Sequence, residues 1–358
     1  MKTADVQMLE LTTLEAKRFL TPALLERDVS FGLMGPPGIG KSAIAHQIAD
    51  DIRAKLGADF GGLIVEQPVF KEATDTRLPY LLPDKPGQFN WASPGWLPNP
   101  DDPRLWLFLV EELPQADASM QKFLSPLLWE KRYGDVPLPR RTRVIATGNR
   151  LSDRAGANRV FTHTRDRFCA LYLKADLEIW INWAHANNVD PMVIAYLRYQ
   201  PDSLFQFDPN SLDRPTTPRS WAMLAQLLRL TPADTLLNVA AGCLGIGVGR
   251  AFCEFFRRET ELPELADVLA NPKKAKLPDD PCLMWLLIGA LAGRMKTEKK
   301  HFTPYAQYVL RMSDEYQVKA FKDFLGSNKG FIEGIKGTPE LAAFTRGNLD
   351  AFTNMNEF

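Results

Sequence analysis

Apolar positions recur along this chain with two periods, and the period changes near residue 176. In the first part, short apolar runs bounded by turn residues predict strands at 29–34, 63–70, 105–110, 143–147 and 170–173. The run Leu105-Trp106-Leu107-Phe108-Leu109-Val110 is apolar on both faces, as a central strand of a parallel sheet must be. Helical patterns separate most of these strands. A helix over 8–26 is predicted to cap the first domain, and one over 42–53 carries Ile44, Ala45, Ile48 and Ile52 on one face. Such alternation predicts a parallel α/β sheet.

After Asp176 the strand signals stop. Segments 177–187, 191–200, 219–230, 233–258 and 282–295 carry the 3.6-residue period of helices. Prolines cluster at 79–103 and 263–281, and these stretches are the predicted loops or linkers. The predicted domains are 1–175, an α/β domain with an insertion near 75–100, then a helical domain at 176–262, then a linker and helical extension at 263–358.

Gly35-Pro36-Pro37-Gly38-Ile39-Gly40-Lys41-Ser42 fits the spacing G-x-x-x-x-G-K-[ST]. Glycines there let backbone N–H groups turn toward phosphate oxygens. Lys41 reaches the β- and γ-phosphates, and the Ser42 hydroxyl can ligate Mg²⁺. Ala43 follows in the helix whose positive dipole end meets the same spot. A surface loop rich in Gly and Pro would match the spacing equally well. The strand before this segment and the helix after it favour a nucleoside triphosphate site.

The strand 105–110 ends in Glu111-Glu112. Two acids closing an apolar strand form the Walker B pattern, in which the first holds Mg²⁺ and the second orients and polarises the attacking water. The other reading is a solvated strand end. Glu111 stands where Asp is commoner, which sets its carboxylate one methylene further out. The next strand runs into Thr147-Gly148-Asn149, and Asn149 is a candidate contact to the γ-phosphate or the water; a turn-forming Gly-Asn pair is the alternative.

Composition narrows the partners. Among 358 residues, 43 basic and 43 acidic side chains cancel, so nucleic acid is not favoured as the main partner, although a local basic patch stays open. The four cysteines have no C-x-x-C pair and lie among apolar neighbours, which predicts a reduced cytoplasmic protein with core thiols. The four histidines never fall at zinc-ligand spacing, so no structural metal is expected. No apolar signal region follows Met1-Lys2-Thr3-Ala4-Asp5, and no apolar run approaches about 18 residues. The expectation is a soluble protein with no membrane partner.

With these stations in order, the chain resembles the MoxR-like branch of the AAA+ ATPases, of the dynein-related type found in bacteria and phages. The resemblance runs from Gly35 to about Leu228, more weakly to about 285, through GPPGIGKS at 35–42, FLVEEL at 108–113, RVIATGN at 143–149, DRF at 166–168 and TPRSW at 217–221. Gly87-Gln88-Phe89 and Ser93 to Pro98 look like the β-hairpin insertion this branch carries in its second helix. The resemblance implies an AAA+ P-loop core with a parallel five-stranded sheet between helices, followed by an all-helical lid and a C-terminal extension. It also implies a homo-oligomeric ring, usually a hexamer, with ATP and Mg²⁺ between subunits. Arg167 then occupies the arginine-finger position, with Arg165 as the fallback, and Arg219 matches sensor 2. Read alone, Arg167 is a surface arginine and Arg219 an arginine in a first helical turn.

The Gly245-Ile246-Gly247-Val248-Gly249 run follows no strand and does not read as a dinucleotide site; Lys273-Lys274-Ala275-Lys276 reads as a solvated linker. The aromatics at 89–96 are either core or an exposed hairpin tip that grips a partner. The leading expectation is a ring ATPase that remodels or activates a protein, one with a von Willebrand factor A domain by resemblance. A nucleic-acid-linked NTPase motor of a restriction or phage DNA-processing complex is the alternative. A non-catalytic scaffold whose ring is held together by nucleotide is the third.

Overall fold

The structure is a computed structural model and describes residues 9–153, 160–297, 302–327 and 337–347. Met8, where the first helix was expected to begin, and His301 lie outside the described residues. The chain divides into two compact units, 1–176 with 208–211, and 177–207 with 212–358.

The first unit is built on a six-stranded, wholly parallel sheet. In chain order its strands are β1 (Glu10–Leu11), β2 (Phe31–Met34), β3 (Phe60–Glu66), β6 (Leu105–Val110), β9 (Thr142–Gly148) and β10 (Cys169–Leu173). In space the order is β1-β10-β2-β9-β6-β3. Helices α1 (Thr13–Glu26), α2 (Lys41–Leu56), α3 (Ala118–Trp129) and α4 (Thr162–Arg165) accompany it. Phe108 and Val110 of β6, with Val144 and Ala146 of β9, pack on Met120, Leu124, Leu127 and Leu128 of α3. The pleat turns Leu107 and Leu109 to the other face, where α2 covers the sheet with buried Ile44, Ala45, Ile48 and Ile52. The parallel α/β class expected for this half, with helices following it, is the fold observed.

Several boundaries differ from the expectation. The sheet has a sixth strand, because Glu10–Leu11 pairs with Tyr172 and Leu173 before α1 begins at Thr13. Thr12 caps that helix, exchanging hydrogen bonds with Glu15 in a capping box. The strand expected at 63–70 runs instead from Phe60 to Glu66. Its start passes through Gly61 and Gly62, whose poor strand propensity concealed it. Its end is set by Pro68, which has no N–H for the ladder and opens a short 3₁₀ turn.

The proline-rich stretch 79–103 contains a hairpin of β4 (Leu78–Leu81) and β5 (Phe89–Ala92). Every residue of its strands is exposed, so the aromatics here are not core: Phe89 is 57% and Trp91 43% accessible. Arg77 stacks on the Trp91 ring at 4.5 Å and pairs with Asp135 at 2.5 Å. Asp135 lies in the turn of a second hairpin, β7 (Arg132–Tyr133) and β8 (Val136–Pro137).

The second unit is helical in its described residues: α5 (Leu177–Ala186), α6 (Pro191–Tyr199), α7 (Pro218–Leu227), α8 (Leu236–Leu244), α9 (Ile246–Arg257), α10 (Leu265–Ala270), α11 (Pro281–Thr297), α12 (Phe302–Val309), α13 (Asp314–Ser327) and α14 (Pro339–Gly347). The single helix expected at 233–258 is two, broken at Gly245, whose φ of +83° ends α8. Part of the 263–281 stretch is α10 rather than linker. The core is aromatic: Tyr196, Trp221 and Phe252 meet with ring centroids 5.4–5.8 Å apart. A buried ionic cluster accompanies it, in which Asp323 of α13 accepts from Arg198 of α6 at 2.8 Å and lies 3.2 Å from His185 of α5. Three of the cysteines are buried as expected, but Cys169 at the start of β10 is exposed.

Candidate active site

Parallel strands place all their carboxyl ends on one side of the sheet, the side where α/β folds bind ligands. At that side β2 ends at Met34, and the segment Gly35 to Ser42 turns into α2. The loop closes on φ angles of +76° at Gly38 and +101° at Gly40, left-handed conformations that a side chain would strain. Gly40 caps α2, and its carbonyl accepts from Ile44 N at 2.9 Å. The first turn of α2 therefore starts at Lys41 and Ser42, with its N–H groups directed to the loop.

Lys41 Nζ donates to the carbonyls of Gly35 and Pro36, both at 2.8 Å, and to Asn149 Oδ1 at 2.9 Å. The ammonium thus sits over the loop and ties it to the tip of β9. Asn149 is buried, at 8% accessible, so its amide is directed by packing rather than by solvent. Gly35 N donates to Gly148 O at 3.2 Å, a second tie between the loop and β9.

The two acids leave β6 in different backbone conformations. Glu111 continues the ladder, its N–H donating to Glu66 O at 2.8 Å, and its carboxylate accepts from Gln67 Nε2 at 2.8 Å. Glu112 turns left-handed, with φ 54° and ψ 38°, and its N–H donates to Thr147 Oγ1 at 3.3 Å. A non-glycine residue in that region is uncommon, and such strain gathers at functional sites. On the neighbouring strand β3, Glu66 is 1% accessible and paired with Lys71 at 2.9 Å. Desolvation, with Glu66 beside it, pushes the Tyr133 phenol well above its ordinary range.

The donor set suits Mg²⁺ held with a nucleotide. A hydroxyl at Ser42 and a carboxylate at Glu111 are hard oxygen ligands, and Mg²⁺ takes one or two protein oxygens alongside phosphates and water. Among the described residues no cluster of three or more His, Cys, Asp or Glu could form an all-protein metal cage.

The other expected residues lie elsewhere. Arg167 follows α4, and its Nη1 donates to Glu130 Oε1 at 2.7 Å and to Ser125 O at 3.2 Å, at the end of α3. Arg165 is exposed at the end of α4. Arg219 is exposed in the first turn of α7, after the Thr217 cap and Pro218, and belongs to the second unit. Lys41, Glu111, Glu112 and Asn149 are thus gathered at one end of the first unit's sheet, by the contacts just given. Thr147, Gln67 and Glu130 join the picture only in three dimensions. Their partners are 35 residues away for Thr147, 44 for Gln67 and 37 for Glu130, and no local motif announces them.

No protein-family model matches the chain, and no curated protein does. Among solved structures it is similar to the Thermotoga maritima RuvB Holliday junction branch migration motor, at 17% identity, over 84% of this chain and 86% of that one, with a TM-score of 0.37. It is similar to C. elegans PCH-2 at 10% identity, over 69% of this chain and 70% of that one, with a TM-score of 0.33. Likeness to NtrX from Brucella abortus has 11% identity over 69% of this chain and 65% of that one, with a TM-score of 0.36. At such scores the likenesses carry no statement about activity or assembly.

Proposed function

We propose that this chain is an AAA+ ATPase that hydrolyses ATP. One observation carries the reading: the tip of β9 ties together the Lys41 loop, through Gly148 and Asn149, and the Glu112 turn, through Thr147. A phosphate-binding lysine and a carboxylate on the neighbouring strand are thereby held around one space at the carboxyl end of the sheet.

The loop from Gly35 to Gly40, with the first N–H groups of α2, cradles the phosphates, while Lys41 carries a positive charge to the β- and γ-phosphates. Ser42 and Glu111 are the residues that would hold Mg²⁺, which when bound draws off charge from the β- and γ-phosphate oxygens. Glu112 positions the attacking water and accepts its proton as the oxygen–phosphorus bond forms and the bond to the β-phosphate oxygen breaks. Asn149 holds the Lys41 ammonium in the loop and offers its amide to the γ-phosphate or the water.

The finer reading rests on motif order. In it the chain is MoxR-like, forms a ring, and remodels or activates a partner protein that carries a von Willebrand factor A domain. Residues 1–175 form the ATPase domain, 176–262 the lid and 263–358 an extension. Arg167 serves the nucleotide of a neighbouring copy, stabilising charge on the transferring phosphoryl group, and Arg219 couples nucleotide state to the lid. The protein works in the cytoplasm; no helix among its described residues is long and apolar enough to cross a membrane.

The test is ATP binding and phosphate release by the wild type, Lys41→Ala and Glu112→Gln. Lys41→Ala should lose nucleotide binding, while Glu112→Gln should keep binding and lose turnover by 10²-fold or more. Substantial hydrolysis by Glu112→Gln would remove Glu112 from the catalytic role. Capture with ATP-loaded Glu112→Gln then tests for the partner.

A further inference from the structure

We propose that Thr147 is a positioning residue for hydrolysis, its hydroxyl holding the backbone of Glu112 in the left-handed conformation that aims the carboxylate. The proposal rests on the reading of Glu112 as the acid that activates water.

The argument begins with the backbone. Among the described residues, Glu112 is one of three non-glycines with positive φ, the others being Lys131 and Asn188. An L-residue there brings its β-carbon against the carbonyl oxygen and relaxes toward extended geometry unless it is held. In extended geometry Glu112 would carry on along β6, and its side chain would leave the strand in another direction.

Three contacts hold it. Glu112 N donates to Thr147 Oγ1 at 3.3 Å. Its carbonyl accepts from Gln115 N at 2.8 Å. Pro114 lies against Gly148, where an added β-carbon would stand 2.3 Å from Pro114 Cδ. Only the first of these is a hydrogen bond to a side chain, and that side chain is fixed. Thr147 is 1% accessible, on a strand paired on both sides, with Leu33 opposite it and Val110 opposite its neighbour Ala146. A buried hydroxyl on a two-sided strand is a rigid acceptor, so the place of the Glu112 amide follows the place of β9. The next two residues of β9's tip, Gly148 and Asn149, hold the phosphate loop. Thr147 therefore sets the distance between the acid and the phosphates it serves.

The experiment compares Thr147→Val, which keeps the shape and loses the acceptor, with Thr147→Ser, which keeps the acceptor. Each is also placed in the Glu112→Gln background, and three quantities are read: ATP affinity, single-turnover rate and hydrogen exchange of the 111–116 segment. Thr147→Val should lose about tenfold in rate, one hydrogen bond's worth, with affinity unchanged within about twofold. Thr147→Ser should restore most of the rate. In the Glu112→Gln background the valine should add no further loss, since there is no carboxylate left to aim. Exchange of 111–116 should quicken in the valine variant alone.

Unchanged exchange, a serine variant as slow as the valine, or a valine loss that multiplies with Glu112→Gln would each overturn the proposal. A wild type that binds ATP without hydrolysing it would instead sink the reading of Glu112, and the exchange measurement would still decide whether Thr147 holds the turn.

Discussion

If Arg167 reaches a nucleotide on a neighbouring copy, it must first leave the contacts it makes in its own chain. Its guanidinium pairs with Glu130 at 2.7 Å, the two side chains being 29% and 41% accessible, and also donates to Ser125 O. An ion pair as exposed as this one contributes about 0.2–1 kcal/mol. Glu130→Gln removes the charge while leaving a side chain of the same shape. The cost of releasing Arg167 falls by that amount, and turnover should rise roughly 1.4- to 5-fold. The assay is phosphate release at saturating ATP and Mg²⁺, repeated over a range of protein concentration so that any change in assembly is seen as such. Arg167→Ala, expected to bind ATP without turning it over, is the control. Should Arg167→Ala be inactive while Glu130→Gln stays flat or falls, Glu130 is not a restraint on Arg167 and the reasoning fails. A fully active Arg167→Ala would move the search to Arg165.

Two predictions concern the frame rather than the chemistry. Asp323 is 5% accessible and carries the charge that faces Arg198 and His185, so Asp323→Asn should cost about 3–5 kcal/mol in urea unfolding of the whole chain. Burial raises its pKa, but Arg198 and His185 outweigh burial and the net shift is downward. The stabilisation is therefore present above the unfolded value near 4 and is lost as pH falls below it, and Asp323→Asn should flatten the acid limb. At the other end of the chain, Thr12→Ala removes one half of the α1 capping box and should lower stability by about 1 kcal/mol, read as a shift in urea midpoint.

The parts of this protein legible in its sequence are those whose cause is local. β6 announced itself because both of its faces are buried, and the Gly35–Ser42 loop because its glycines, Lys41 and Ser42 stand at the spacing that a phosphate would demand. The edge strand at Glu10–Leu11 gave no signal, since two residues on a sheet's margin need no apolar pattern. The break at Gly245 hid inside continuous helical periodicity, because a single left-handed residue reverses the chain without interrupting the spacing of apolar positions. The Arg167–Glu130 pair was invisible for a different reason, joining a loop after α4 to the end of α3.

Adjacent glutamates are hard to use for two tasks, because on a regular strand they point to opposite faces and on a common turn their charges crowd. Here the strand ends between them. Glu111 keeps the β ladder through Glu66 O and gives its carboxylate a donor in Gln67. Glu112 leaves the ladder at φ 54°, so its side chain departs along neither direction the pleat would allow. The proposal that gives one acid to metal and the other to water therefore draws on their different backbone geometry. That geometry is set by neighbouring strands: β3 fixes the first acid, and β9 the second. Loss of the Thr147 contact alone would change the second and spare the first and the loop ties at Gly148 and Asn149, so loss of hydrolysis with retained nucleotide affinity is the signature expected of damage at that contact.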